Sequence, residues 1–215
     1  MTSGIVVAVV ALGSAHLAAY YAPQKALAGA LKAVPILLLA WTVASAGDVV
    51  APGYGRLIAL GLVASAIGDL CLVSERGFVA GLSSFLVAHV LYLLAFLPAG
   101  AGLAWPVAVG LALFVAIFLG RLLTHVPAAL RAPVVVYVAV IAAMAWAAAR
   151  RAGTPATPEP SALLALAGAF AFMTSDAILA WDRFVRRLPF GHGWVMVTYY
   201  GAQVLIAASA SVAPR

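Results

Sequence analysis

Of the 215 residues, 66% are hydrophobic and only 8% are charged, which is more apolar surface than a soluble domain of this length can cover. The formal net charge of +6 comes from Lys and Arg set singly or in pairs at the ends of apolar runs, a pattern that excludes nucleic-acid binding and fits lipid headgroups. One cysteine, Cys71, excludes an internal disulfide and a thiolate metal cluster.

The apolar runs predict an all-α integral membrane bundle of about eight transmembrane helices, at about 4–21, 28–46, 56–74, 78–97, 103–120, 131–149, 161–181 and 193–212. Each approaches the length of about 20 residues that crosses a bilayer, and none alternates as a barrel strand does. Residues 1–215 therefore read as a single transmembrane domain. The first run, MTSGIVVAVVALGSAHLAAYY, lacks the basic start of a signal peptide and is read as the first helix. The clearest loop is RRAGTPATPEPS at 150–161, whose prolines extend neither neighbour.

With the N-terminus outside, Lys25, Lys32, Arg76, Arg121, Arg131, Arg183, Arg186 and Arg187 fall on the cytoplasmic side, against Arg56, Arg150, Arg151 and Arg215 outside. The positive-inside rule thus favours both termini outside. A chain with ten Arg, two Lys and abundant Ala and Gly fits a GC-rich bacterial genome, hence a multi-pass protein of a bacterial inner membrane.

Two acids sit where lipid should be. Asp69 is expected on the third helix and Asp176 on the seventh, and a carboxylate near the centre of a spanning helix costs about 2.5–3.5 kcal/mol on insertion scales. GDLCLVSERGF at 68–78 is echoed by SDAILAWDRF at 175–184, and Asp69 to Tyr92 has the same separation as Asp176 to Tyr199. Two parallel four-helix halves would give that pattern. At 1.5 Å per residue, Asp69 and Asp176 each lie about 7.5 Å inside the same end, with Tyr199 about 9 Å and Lys32 about 6 Å in. His89 and Gln203, about 15 Å deep by the same rise, come nearer the midplane. His89 and Tyr92 share one helix face, as do Tyr199 and Gln203.

Two carboxyls at one depth repel when both are ionised, and burial raises the pKa of each. One proton is then held between them, the state a general acid needs. The plainer reading is that each acid is ion-paired with Lys32 or Arg183 and ties helices together. His89 is either a neutral residue satisfied by a carbonyl or a shuttle that orients a carboxyl. His16, His125 and His192 lack ligand spacing, so no metal is expected. Lys32 either snorkels or binds phosphate. Ser65, Ser83, Ser84 and Ser175 lack a GxSxG context, which leaves a serine hydrolase without support.

GDLCLV, FVAGLSSFLVAHVLYLLAF, SDAILAWDRF and VMVTYYGAQVLIA together resemble the YhhN-like family, the lysoplasmalogenases, through the ordered set GDxxL, GLxxFxxAHxxY, SDxxLAxxRF and YxxAQ. The resemblance implies an eight-helix membrane hydrolase that cleaves the vinyl ether of a lysoplasmalogen, releasing a fatty aldehyde and glycerophosphoethanolamine or glycerophosphocholine, with no metal or organic cofactor. Its partners would be that lysophospholipid and the surrounding bilayer lipids, with the oligomeric state left open. On this reading Asp69, Asp176 and His89 are the catalytic candidates. Lys32, Tyr92, Tyr199, Gln203 and Ser175 are the substrate-binding ones. The rival class is a proton-coupled transporter of small molecules or lipids using the same acids, although the helices that carry them have no Gly or Pro interruption of the broken-helix kind.

Overall fold

A computed structural model describes residues 1–22, 24–97, 104–155 and 157–212. In chain order its helices are α1 (Ser3–Tyr21), α2 (Lys25–Lys32), α3 (Val34–Ala46), α4 (Tyr54–Cys71), α5 (Phe78–Phe96), α6 (Trp105–Leu122), α7 (Ala128–Ala152), α8 (Glu159–Phe184) and α9 (Gly191–Ser209), with a 3₁₀ turn at Glu75–Gly77. The helix expected from 103 starts at a residue outside the described ones. Its described part begins at Trp105, with Pro106 in the first turn, where a missing N–H costs nothing.

The expected membrane bundle is present. Seven stretches among the described residues are long and apolar enough to cross a bilayer, α2 and α3 counting together as Lys25–Ala46. The last helix, α9, has the length but less hydropathy, because it carries Tyr199, Tyr200 and Gln203, all turned inward and buried. The run expected as one helix over 28–46 is broken at Ala33. Pro35 has no N–H for the carbonyl of Leu31, and its ring crowds that turn. The break leaves the Lys32 carbonyl free to accept a hydrogen bond from the Tyr200 hydroxyl at 3.0 Å.

Successive helices run up and down through the bundle. α4 packs along α5 and α8 along α9, α7 joins α5 to α8, and α6 lies at the periphery against α7. The core holds Ile36, Leu39, Ile58, Leu62, Phe96, Met144, Phe172 and Ile206, none of them with more than a trace of exposure. Small residues set the spacing: a Cβ on Gly68 would meet the Phe85 ring at 2.7 Å, so only glycine lets α4 and α5 approach this closely. Trp41, Trp105 and Leu113 face outward, as lipid-facing side chains do. The ends of α4 and α8 and the starts of α5 and α9 meet at one end of the bundle, and that end holds the acids.

Candidate active site

A cavity of about 900 Å³ opens at this end, bordered by Lys32, Asp69, Ser175, Asp176, His192 and Tyr199 among others. Both acids line it, but from different depths along their helices. α4 stops at Cys71 and α8 continues to Phe184, so Asp69 lies about 3 Å and Asp176 about 12 Å from its helix end. The expectation of equal depth rested on ends at 74 and 181. α4 ends early because the chain must turn back into α5 through a tight turn closed by Gly77, whose Cβ would collide with the Cys71 carbonyl.

Asp69 is almost wholly buried and held on both oxygens. Tyr199 donates its hydroxyl to Oδ2 at 2.7 Å, and Lys32 Nζ lies 3.4 Å from Oδ1. A full cation and a phenol both favour the ionised form, and α9 thereby reaches across the bundle to α4. The sequence spacing that paired each acid with a tyrosine of its own half does not describe this contact. Tyr92 instead donates to Gln203 Oε1 at 2.8 Å. That pair is fully buried and is not among the residues that border the cavity.

Asp176 has the weaker escort. Tyr137 donates to its Oδ2 at 3.0 Å, and His89 Nε2 lies 3.3 Å from the same oxygen. That contact has the distance of an ion pair without the alignment of a good hydrogen bond. The other nitrogen of His89, Nδ1, bonds the Phe85 carbonyl. A carbonyl only accepts, so Nδ1 carries a hydrogen, and the neutral ring then offers Nε2 as an acceptor. A proton carried by either Nε2 or the carboxyl would lie between the two. The carbonyl contact expected of a satisfied His89 is present at Nδ1, and Nε2 lies within ion-pair distance of a carboxyl.

No hydrogen bond or ion pair joins Asp69 to Asp176 among the described residues; Asp69 has Lys32 and Tyr199, and Asp176 has His89 and Tyr137. Phe172 packs against both groups, edge-on to His89 at 4.5 Å and to Tyr199 at 5.4 Å between ring centroids. Arg183 pairs with Glu75 at 3.5 Å near the cavity mouth rather than with either buried acid. Ser175 borders the cavity but spends its hydroxyl on the Val195 carbonyl at 3.0 Å.

Two contributors escaped sequence reading. Tyr137 sits in VVVYVAV, and its one signal was being the lone polar residue in an aliphatic run. His16 and His192, dismissed for lack of ligand spacing, meet Nε2 to Nε2 at 3.1 Å. His16 is fixed by the Ala28 carbonyl at 2.8 Å, and His192 stacks on Tyr20 at 3.7 Å. Among the described residues no three His, Cys, Asp or Glu side chains are placed to hold a metal ion.

A model of the YhhN family matches residues 27–210. The chain belongs to the YhhN family. Lysoplasmalogenase TMEM86B of Homo sapiens is 35% identical over 87% of this chain and 76% of its own length. The Sus scrofa TMEM86B is 38% identical over 76% and 67%, and lysoplasmalogenase TMEM86A of Homo sapiens is 36% identical over 84% and 76%. No solved structure matches the chain. The YhhN match takes in Lys32, Asp69, His89, Tyr137, Asp176 and Tyr199. It leaves out α1, which adds His16 and Tyr20 to the cavity wall of this YhhN protein.

Proposed function

We propose that this YhhN protein is a lysoplasmalogenase that hydrolyses the vinyl ether of a lysoplasmalogen to a fatty aldehyde and a glycerophospho-alcohol, with Asp176 and His89 as the proton donor. The observation that carries the assignment is the approach of His89 Nε2 to within 3.3 Å of Asp176 Oδ2, at the wall of a cavity that also holds Asp69. The named lysoplasmalogenases that the chain resembles support the same chemistry.

Vinyl ether hydrolysis begins when an acid protonates the β carbon, which leaves an oxocarbenium ion at the carbon bearing oxygen. Asp176 supplies that proton, and His89 holds the carboxyl for delivery. The Asp69 carboxylate, kept ionised by Lys32 and Tyr199, stabilises the cation across the cavity. Water adds to the cationic carbon and gives up a proton to the Asp176–His89 pair, restoring it. The hemiacetal then breaks its bond to the glycerol oxygen, which takes a proton and leaves as alcohol while the carbon becomes the aldehyde. This division of work between two carboxyls parallels paired glycosidase acids. Lys25 and Lys32 at the cavity wall suit the lipid phosphate as compact cations. The basic residues gathered at the cavity end support a cytoplasmic mouth, with both termini outside, by the positive-inside rule.

The test is to incubate the purified protein in detergent with a lysoplasmalogen and an acyl lysolipid side by side and identify products by mass spectrometry. Free aldehyde should form from the first, and no fatty acid from the second. Fatty acid release without aldehyde would overturn the ether assignment. The transporter alternative has no support among the relatives, all of which are named as enzymes of this kind.

A further inference from the structure

A second hollow lies beside the first. It is a narrow apolar groove between α5, α6, α7 and α8, and α6 closes it only partly, since that helix packs chiefly on α7 and hardly touches α8. One face of α7 supplies Val134, Val138 and Ile141 to its wall, at the i, i+4, i+7 spacing of a single helix stripe. α6 supplies Phe114 and Phe118, stacked at 5.6 Å, and Phe114 is 39% exposed on the lipid-facing side. α8 supplies Ala177 and Ala180, whose small side chains leave the space open.

Three groove residues carry strongly polar groups: Tyr137, Asp176 and Arg183. Two of these are engaged with partners already described, Tyr137 with Asp176 and Arg183 with Glu75. The remaining polar group is the carboxyl assigned as acid. A hollow of this chemistry accepts hydrocarbon and nothing that needs a hydrogen bond. It is also continuous with the polar cavity, because Phe78, Asp176, Leu179 and Arg183 border both. Asp176 stands at the junction, with the phosphate-binding lysines on one side and hydrocarbon walls on the other.

We infer that the groove between α5, α6, α7 and α8, with a free volume of about 60 Å³, takes the few methylenes next to the ether in the substrate's hydrocarbon chain, which enters sideways from the bilayer between α6 and α8 and brings its ether end to Asp176. This rests on the hydrolase reading and extends it to substrate shape: one polar cavity for the headgroup, one groove for the start of the chain. The substrate never leaves the membrane to react.

The test uses Val138→Trp on α7 and Ala180→Phe on α8, which fill the groove from opposite walls and replace neither carboxyl nor any of its partners. Each is assayed with hexadecenyl and butenyl lysoplasmalogens of the same headgroup. A methylene kept out of an apolar site costs about fourfold, so blocking three or four of them lowers kcat/KM for the hexadecenyl substrate about a hundredfold. The butenyl rate should stay within about twofold of wild type by the same reasoning, which also reports that the variants fold. Equal losses on both substrates, or no loss on either, would overturn the inference. A wild type that releases aldehyde from neither substrate sinks the hydrolase reading instead. The groove is then judged by photo-crosslinking with a lysolipid that carries a diazirine in the first few carbons of its chain. Labelling around Phe114, Phe118 and Val138 supports the groove, and labelling confined to α1, α2 and α9 rejects it.

Discussion

The two buried acids share a cavity but live in different electrical neighbourhoods. Asp69 faces a permanent cation, Lys32, and a phenol, while Asp176 faces a phenol and a histidine, a partner whose charge depends on one proton. A carboxylate beside lysine has its charge offset by a full opposite charge. A carboxylate beside histidine has a partner able to act as an acid or a base. The same residue type is thus a fixed charge at one site and a proton donor at the other, and partner choice makes the difference.

Replacing each acid by its amide separates the two roles. Asp176→Asn removes the proton donor, and general-acid contributions of about 10²–10⁴ in rate set the expected fall in kcat at about a thousandfold, with thermal stability nearly kept. Asp69→Asn leaves half-buried Lys32 without its counter-charge and the oxocarbenium ion without its anion, so kcat falls here too, but the signature that sets it apart is a lowered unfolding temperature in detergent. Paired measurements of kcat and unfolding for the two variants check the contrast. If Asp69→Asn is the more stable and the less active of the two, the roles are reversed.

How much of this was legible beforehand follows the same line. The spans, Asp69, Asp176, Lys32, His89 and Tyr199 all announce themselves, because a polar residue inside an apolar run is costly enough to need a reason. Their partners do not. Tyr199 pairs with Asp69 across 130 positions of sequence, and spacing within a motif carries no information about which helix lies opposite. Tyr137 stayed hidden because a tyrosine in a valine run reads equally well as lipid-facing. The break at Ala33 was visible as Pro35, but a proline one turn into a run also fits a helix that starts there. The depths went wrong at the ends of α4 and α8, where hydropathy continues past the last helical residue in one and falls before it in the other.

Smaller changes sharpen the contrast. Tyr137→Phe and Tyr199→Phe each delete one hydrogen bond to a carboxylate, worth about 1.5–3 kcal/mol when the acceptor is charged. At Asp176 the loss alters the group that moves a proton, so Tyr137→Phe lowers kcat by about tenfold or more and displaces the pH–rate profile. At Asp69 it loosens a fixed anion, so Tyr199→Phe appears chiefly as lost stability with an unmoved profile. Two profiles that shift alike would mean that both carboxyls titrate in turnover.

Asp48, at the opposite end of the bundle and outside the spans, is the third member of the comparison. Its carboxyl accepts the Gly53 N–H at 2.9 Å, the Arg56 N–H at 3.2 Å and Arg56 Nε at 3.0 Å, which closes the loop into α4. The Gly53 bond above all, with Arg56 adding to it, holds its pKa below the usual carboxylate value. A depressed folded-state pKa means that the ionised loop contributes stability above the ordinary carboxylate pKa of about 3.9, and that this contribution fades as pH falls through the lower folded value. Asp48→Ala should therefore lower the unfolding temperature slightly at neutral pH, and the gap from wild type should close in acid. Activity should be untouched, since the residue lies a full membrane thickness from the cavity. A gap that persists in strong acid would assign the effect of Asp48 to loop packing rather than to charge.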